Sequence, residues 1–215
     1  MLTTTSEVIA YYRNLTDDPD REFITDSQLY VMMASAYDEF RQLVTRHDQS
    51  FYALAYNFSP GGYTYALSGI MFGSTPSQPR LSRITRITRM AGSRPTSFLR
   101  AAGSREDLNS DISGGAYWLQ GTTLEFSASV SGPLQMTYIP VSSVTWSSTP
   151  GFIDDLVEFH DVIALLCMQQ YKIKDFAENP MHAQQLAKRL GDLKAYLAVS
   201  RSGDASRWVT ESDWM

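Results

Sequence analysis

Apolar positions recur at intervals of three and four along the first part of the chain. Thr4 followed by Glu7 forms a capping box, opening a helix that presents Val8, Ile9, Tyr11, Tyr12 and Leu15 before Asp17-Asp18-Pro19-Asp20 ends it. Thr25 with Gln28 opens a second, with Asp26 favourably placed at the positive helix end. Behind it Leu29, Met32, Met33, Ala36, Tyr37, Phe40, Leu43 and Val44 predict a single apolar stripe on a helix from Asp26 to about Arg46. Asp38, Glu39, Arg41 and Gln42 fall on its other faces.

From Ser50 the period shortens and the composition turns to Tyr, Thr, Val and Phe. Phe51 to Phe58 and Tyr63 to Leu67 flank Ser59-Pro60-Gly61-Gly62, which predicts a hairpin, and Gly73 to Pro79 reads as a loop. Leu81 to Met90 predicts a strand with Ser82, Ile84, Arg86, Thr88 and Met90 on one face and Leu81, Arg83, Thr85, Ile87 and Arg89 on the other. Both faces then mix arginine with apolar residues, so neither reads as buried by its own subunit alone. Arg94 to Arg105 reads as a loop with a short helical turn, and Ser104 to Leu108 as the start of another. Tyr117 to Leu119, Thr123 to Ser127 and Leu134 to Ile139, separated by Gly121-Thr122 and Ser131-Gly132-Pro133, predict an antiparallel meander.

Val141 to Pro150 reads as a long loop. Helical spacing returns from Gly151, with Phe152, Leu156, Phe159, Ile163, Leu166 and Gln170 on one face, widened by Val162, Leu165 and Met168. Asn179-Pro180 predicts a restart, after which Leu186, Leu190, Leu193 and Leu197 step by four, three and four. The expected fold class is α+β: a helical bundle from the N- and C-terminal helices with an inserted antiparallel β-sheet or sandwich. The expected divisions are 1–49 and 151–201 for the bundle helices, 50–150 for the β domain and 202–215 for an extended tail.

Composition changes this picture little, and charge changes it more. A chain of 215 residues that is 43% hydrophobic and 19% charged can bury a core without disulfide or metal staples. The lone Cys167, in the apolar run Val162 to Met168, reads as a small buried hydrophobe. Met1 to Thr5 has neither a basic nor an apolar region, so no signal peptide is expected, and no stretch is long and apolar enough for a membrane span. Synthesis in the cytoplasm follows as an expectation. His47, His160 and His182 are far apart, no nucleotide or nucleophile motif occurs, and Asp154-Asp155 near a helix start is explained by the helix dipole. No catalytic residue, metal or cofactor is expected. An enzyme with a pocket between sheet and helices is the alternative from another class, and it lacks a recognisable nucleophile–base pair.

Arg80 to Arg105 contains seven arginines and no Lys within a chain of net charge −5, so the remainder carries −12. The strip reads as a solvated strand face, as a phosphate-contacting row, or as one side of intersubunit ion pairs. Its neighbours are Ile, Thr and Ser rather than stacking aromatics, and the chain is acidic. That favours pairing across a subunit boundary over specific DNA binding, with Arg83, Arg86, Arg89 and Arg94 as the candidate interface residues. Trp208 and Trp214 on the polar tail are candidates for docking into a neighbour's pocket or onto the chain's own helices.

Several passages together resemble the head-to-tail adaptor (connector or neck) proteins of tailed bacteriophages. Ile24 to Leu29 and Ala36 to Phe40 are similar to that family's opening capped helix, and Gly61 to Leu67 to its early hairpin. Tyr117 to Phe126 resembles its late meander, and Pro150 to Tyr171, with Phe152, Leu156, His160 and Ala164, the helix that follows. The likeness spans about Thr25 to Leu197; the loop after Leu67 lacks the family's proline, and Arg80 to Arg105 is more basic than its pattern.

The resemblance implies a structural virion protein: a homo-oligomeric ring, a dodecamer, assembled in the host cytoplasm and placed in the neck between portal and tail or nozzle protein. Trp208 and Trp214 would then dock to portal or tail. Such a ring extends the DNA channel, retains the packaged double-stranded genome and passes it without sequence-specific binding, with no membrane involved. Another virion component, such as a tail-completion or minor capsid protein, is the alternative.

Overall fold

Local capping chemistry fixes the first two helices. The computed structural model describes residues 1–18, 23–67, 74–75, 78–170 and 180–202. In it α1 is Thr5–Leu15 and α2 is Asp26–His47, each with a complete capping box, Thr4 with Glu7 and Thr25 with Gln28. The Glu7 carboxylate accepts the Thr3 amide at 2.7 Å and the Thr4 amide at 2.9 Å, and these bonds hold its carboxyl at about 2. On α2 the predicted stripe is buried at Leu29, Met33, Ala36, Tyr37, Phe40 and Val44, with Met32 and Leu43 half-buried at its margins. Arg13 ties the two helices: its guanidinium reaches the Asp18 carboxylate at 2.6 Å, Asp26 at 2.9 Å and the Ile24 carbonyl at 2.9 Å.

The chain divides into two compact units, one made of Met1–Phe51 with Val144–Met215, the other of Tyr52–Ser143. In the first, the expected helix from Gly151 begins later. Thr4 and Phe152 form an antiparallel bridge, the Thr5 amide donates to the Gly151 carbonyl at 2.9 Å, and Phe152 is 64% exposed. A 3-10 turn, Val157–Phe159, then leads into α4 (His160–Gln170), in which His160 and every residue from Val162 to Cys167 is buried. Burial pushes the Cys167 thiol up to about 12, as suits a packing residue rather than a nucleophile. The last helix, α5 (Pro180–Ser202), starts at the predicted proline and buries Leu186, Leu193 and Leu197. Arg189 holds it to α4 through two bonds to the Asp161 carboxylate, at 2.7 and 2.8 Å.

The second unit is a seven-stranded sheet in the order β1-β9-β5-β6-β7-β8-β2, with β1 Leu54–Phe58, β2 Gly61–Ala66, β5 Leu81–Ala91, β6 Arg94–Ala101, β7 Ala116–Gln120, β8 Thr123–Ser131 and β9 Leu134–Pro140. A separate two-stranded ladder pairs β3 (Ser74–Thr75) with β4 (Gln78–Pro79). The predicted hairpin across Ser59-Pro60 does not form. Instead β1 pairs with β9 and β2 with β8, at opposite ends of the strand order. Only Ser59 and Pro60 separate these two edge strands, so the sheet has to curl. Phe58 and Tyr65 meet with ring centroids 4.6 Å apart, and the Tyr56 and Tyr65 hydroxyls lie 3.4 Å apart. The predicted meander is likewise interrupted: β7 and β8 form a hairpin, while β9 leaves to pair with β1 and β5.

These pairings overturn the expected fold class. The sheet is mixed and curled into a half-barrel, and the described residues also form five helices; it is not an antiparallel sheet or sandwich inserted in a helical bundle. Its parallel pair is β6–β7, which requires a crossover rather than a tight turn, and the short helix α3 (Arg105–Ser110) lies in that connection. Nor do the helices share matching amphipathic stripes, since α4 is buried on nearly all sides and α1, α2 and α5 pack against it. Phe58, Ile87, Leu99, Leu124, Phe126, Leu134, Met136 and Tyr138 fill the inner face of the sheet.

The turn into β7 depends on glycine. Gly114 has φ +67°, and a Cβ there would sit 2.9 Å from the Ala128 Cβ. Gly114→Ala is expected to cost about 2 kcal/mol from the left-handed backbone alone, with the crowding added to it. Urea unfolding read by far-ultraviolet circular dichroism measures this, and an alanine variant as stable as the parent would refute it.

Candidate functional site

The tandem sequence Leu81-Ser82-Arg83-Ile84-Thr85-Arg86-Ile87-Thr88-Arg89 repeats every three residues, whereas a flat strand alternates every two. The structure reconciles the two with bulges between Leu81 and Arg83 and between Ile84 and Arg86. Directly opposed residues share a face, so the pairing with β9 sorts them. Leu81, Ile84 and Ile87 lie with Pro140, Tyr138 and Met136 on the core side, while Arg83 and Arg86 lie with Ile139 and Thr137 on the outside. The expectation that each face mixes arginine and apolar residues is corrected for the outer face of β5, which carries Arg83, Arg86 and Thr88, while the core side keeps one arginine, Arg89, among Leu81, Ile84 and Ile87.

The seven arginines separate into two groups. Three are occupied within the unit. Arg89, half-buried on the core side opposite Leu134, donates to the Gly114 carbonyl at 2.8 Å. Arg100 makes two bonds to the Asp107 carboxylate, at 2.8 and 3.0 Å, and this pairing lowers the Asp107 carboxyl below its usual range. Arg105 lies 3.5 Å from Glu125. The other four, Arg80, Arg83, Arg86 and Arg94, are exposed and have no carboxylate partner among the described residues.

Of the four candidate interface residues, Arg83 and Arg86 therefore share the outer face and Arg94 sits where β5 turns into β6. Arg89 is turned inward. Arg86 lies 5.1 Å above the ring of Phe98, which is 62% exposed on the same face, opposite Thr88. Thr137, Gln135 and Asn57 extend this face across β9 and β1, with Gln135 donating to Asn57 at 3.1 Å. Strands β1, β9, β5 and β6 contain no Asp or Glu, so these strands supply no carboxylate to Arg83, Arg86 or Arg94.

Phe98 escaped the sequence reading because Arg94 to Arg105 carries Pro95 and reads as a loop. The alternation of Ser97, Leu99 and Ala101 against Thr96, Phe98 and Arg100 is the signal that marks it as a strand. Trp208 and Trp214 lie outside the described residues.

The helical unit carries an acidic groove on the exposed side of α2. Asp38, Glu39, Gln42, Leu43, Arg46 and Gln170 line about 550 Å³ of open cavity, and Gln170 donates to the Glu39 carboxylate. A histidine–carboxylate contact, His160 with Asp154 at 2.7 Å, is sealed in the core. There Tyr37 and the Leu156 amide also bond Asp154, and the other ring nitrogen meets the Leu2 carbonyl. The helix-dipole reading of Asp154 is thereby replaced by a buried bonding role. Among the described residues no cluster of three or more His, Cys, Asp or Glu is placed to hold a metal, and no helix is long and apolar enough to cross a membrane. A scan of protein-family models finds none that matches this chain, and no curated protein matches it significantly.

Proposed function

We propose that this protein is a structural subunit that assembles head to tail into a ring in the neck of a tailed bacteriophage. The ring, a dodecamer by the sequence resemblance, stands between portal and tail or nozzle protein. There it lengthens the DNA channel, helps hold the packaged genome and later lets it pass. No bond is made or broken. The observation that carries this reading is the polarity of the chain: four exposed arginines on the β unit, none with a carboxylate partner among the described residues, in a protein whose net charge is −5. Closed rings need heterologous interfaces, in which two different patches of one subunit meet, and opposite charge on two patches supplies that. A lumen lined by the acidic remainder also suits passage of DNA, because many cationic contacts with phosphate would make sliding slow and salt-dependent.

The test is native mass spectrometry and negative-stain imaging of the purified chain, alone and with portal. Annular particles of uniform subunit number are expected, weakening as salt rises from about 0.1 to 1 M, where the screening length falls from about 10 to 3 Å. A protein that stays monomeric at assembly concentrations, with portal present, overturns the proposal.

A further inference from the structure

We infer that the outer sheet face of one copy, Arg83, Arg86 and Phe98, seats in the α2 groove of a second copy, with Asp38 and Glu39 receiving the guanidinium groups. This deepens the ring reading and rests on it. Three observations meet here. The bulges of β5 aim Arg83 and Arg86 to the same side, where no carboxylate of the described residues reaches them. Phe98, 62% exposed beneath Arg86, gives the basic face an apolar projection at its centre, the kind of anchor that dominates interface energetics.

The groove answers both features. It is concave, its carboxylates Asp38 and Glu39 stand one residue apart on the exposed side of α2, and Leu43 offers an apolar surface one turn away. Arg46, a further turn along, repels an incoming guanidinium and so fixes its seat toward the Asp38–Glu39 end. Charge complementarity therefore selects a second copy of this acidic chain as the occupant over nucleic acid, for which one exposed aromatic provides little stacking surface.

Charge reversal tests the seat. Arg83→Glu with Arg86→Glu disables the donor face, and Asp38→Arg with Glu39→Arg disables the groove. All four positions lie at least partly open to solvent, and circular dichroism verifies that each variant folds. Sedimentation velocity is expected to show self-association of either variant weakened by at least about tenfold, since like charges across an interface are strongly unfavourable. Mixing the two variants is expected to restore assembly with the two alternating, since the native face fits the native groove and the reversed face the reversed groove, and combining all four changes in one chain is expected to restore it likewise.

If wild type assembles and the Arg83/Arg86 variant does so equally well, this seat is wrong while the ring stands. If wild type never exceeds a monomer, with portal present, both fall. If the Arg83/Arg86 reversal changes only retention of a double-stranded oligonucleotide, leaving assembly intact, the face is a phosphate contact and the inference is overturned.

Discussion

Replacing Asp154 with alanine is expected to destabilise the helical unit by about 3 kcal/mol, since each buried partner left without its acceptor costs about 1–3 kcal/mol. Asp154 is only 8% exposed, and its carboxylate accepts from Tyr37 at 3.0 Å, from the Leu156 amide at 2.9 Å and meets His160 at 2.7 Å. The His160 ring is fully buried, and its other nitrogen lies 2.7 Å from the Leu2 carbonyl. A carbonyl only accepts, so that nitrogen carries a proton and the imidazole cannot turn away to satisfy itself elsewhere. Alanine thus leaves the second imidazole nitrogen of the fully buried His160 and the Leu156 amide without their acceptor. Tyr37→Phe removes a single neutral donor and is expected to cost about 1 kcal/mol. Urea unfolding of the two variants beside wild type decides the matter: equal losses would mean that Asp154 is no hub.

What could be read from the sequence was the part whose causes are local. A capping box involves residues three apart, so Thr4 with Glu7 and Thr25 with Gln28 announced α1 and α2, and the stripe from Leu29 to Val44 announced which side is buried. Pro180 marked the start of α5. The sheet was misread wherever a distant partner decides. Ser59-Pro60 looks like a hairpin turn, yet β9 and β8 claim the strands on either side of it. Gly151 to Leu156 has helical spacing, but Thr5 captures Gly151 and Asp154 bonds His160 before a helix can start.

The candidate surface was legible as charge and illegible as geometry. Counting arginines found the strip, but Gly114, Asp107 and Glu125, which occupy three of them, sit on α3, its following loop and β8. Trp146, in a segment read as loop, is 94% buried against Tyr37, with ring centroids 6.0 Å apart; loop composition conceals such packing.

The three-residue repeat of β5 makes the sharpest demand on the sheet, and Ile87→Ala is expected to cost about 2–5 kcal/mol, as for other buried Ile and Leu truncations. Ile87 is fully buried and faces Met136 on one neighbour and Leu99 on the other, so β9 and β6 both lose packing when it is shortened. Arg86→Ala, one residue away on the outer face, gives up an exposed cation–π contact worth about 0.5–1 kcal/mol. That contrast follows from the bulges, and a deletion tests them directly. Between Ile84, opposite Tyr138, and Arg86, opposite Thr137, Thr85 is the residue without a counterpart on β9. A chain lacking Thr85 closes into regular pairing with Ile84 and Ile87 still inward and Arg86 still outward. It forfeits chiefly the Thr85 hydroxyl bond to the Thr137 carbonyl at 2.9 Å, and is expected to unfold within about 1.5 kcal/mol of wild type. Thermal and urea unfolding followed by circular dichroism should therefore rank Ile87→Ala as far more damaging than removal of a whole residue two positions earlier. The reverse order would mean that the bulges, and the sorting of arginine from isoleucine that rests on them, are not what holds β5 in the sheet.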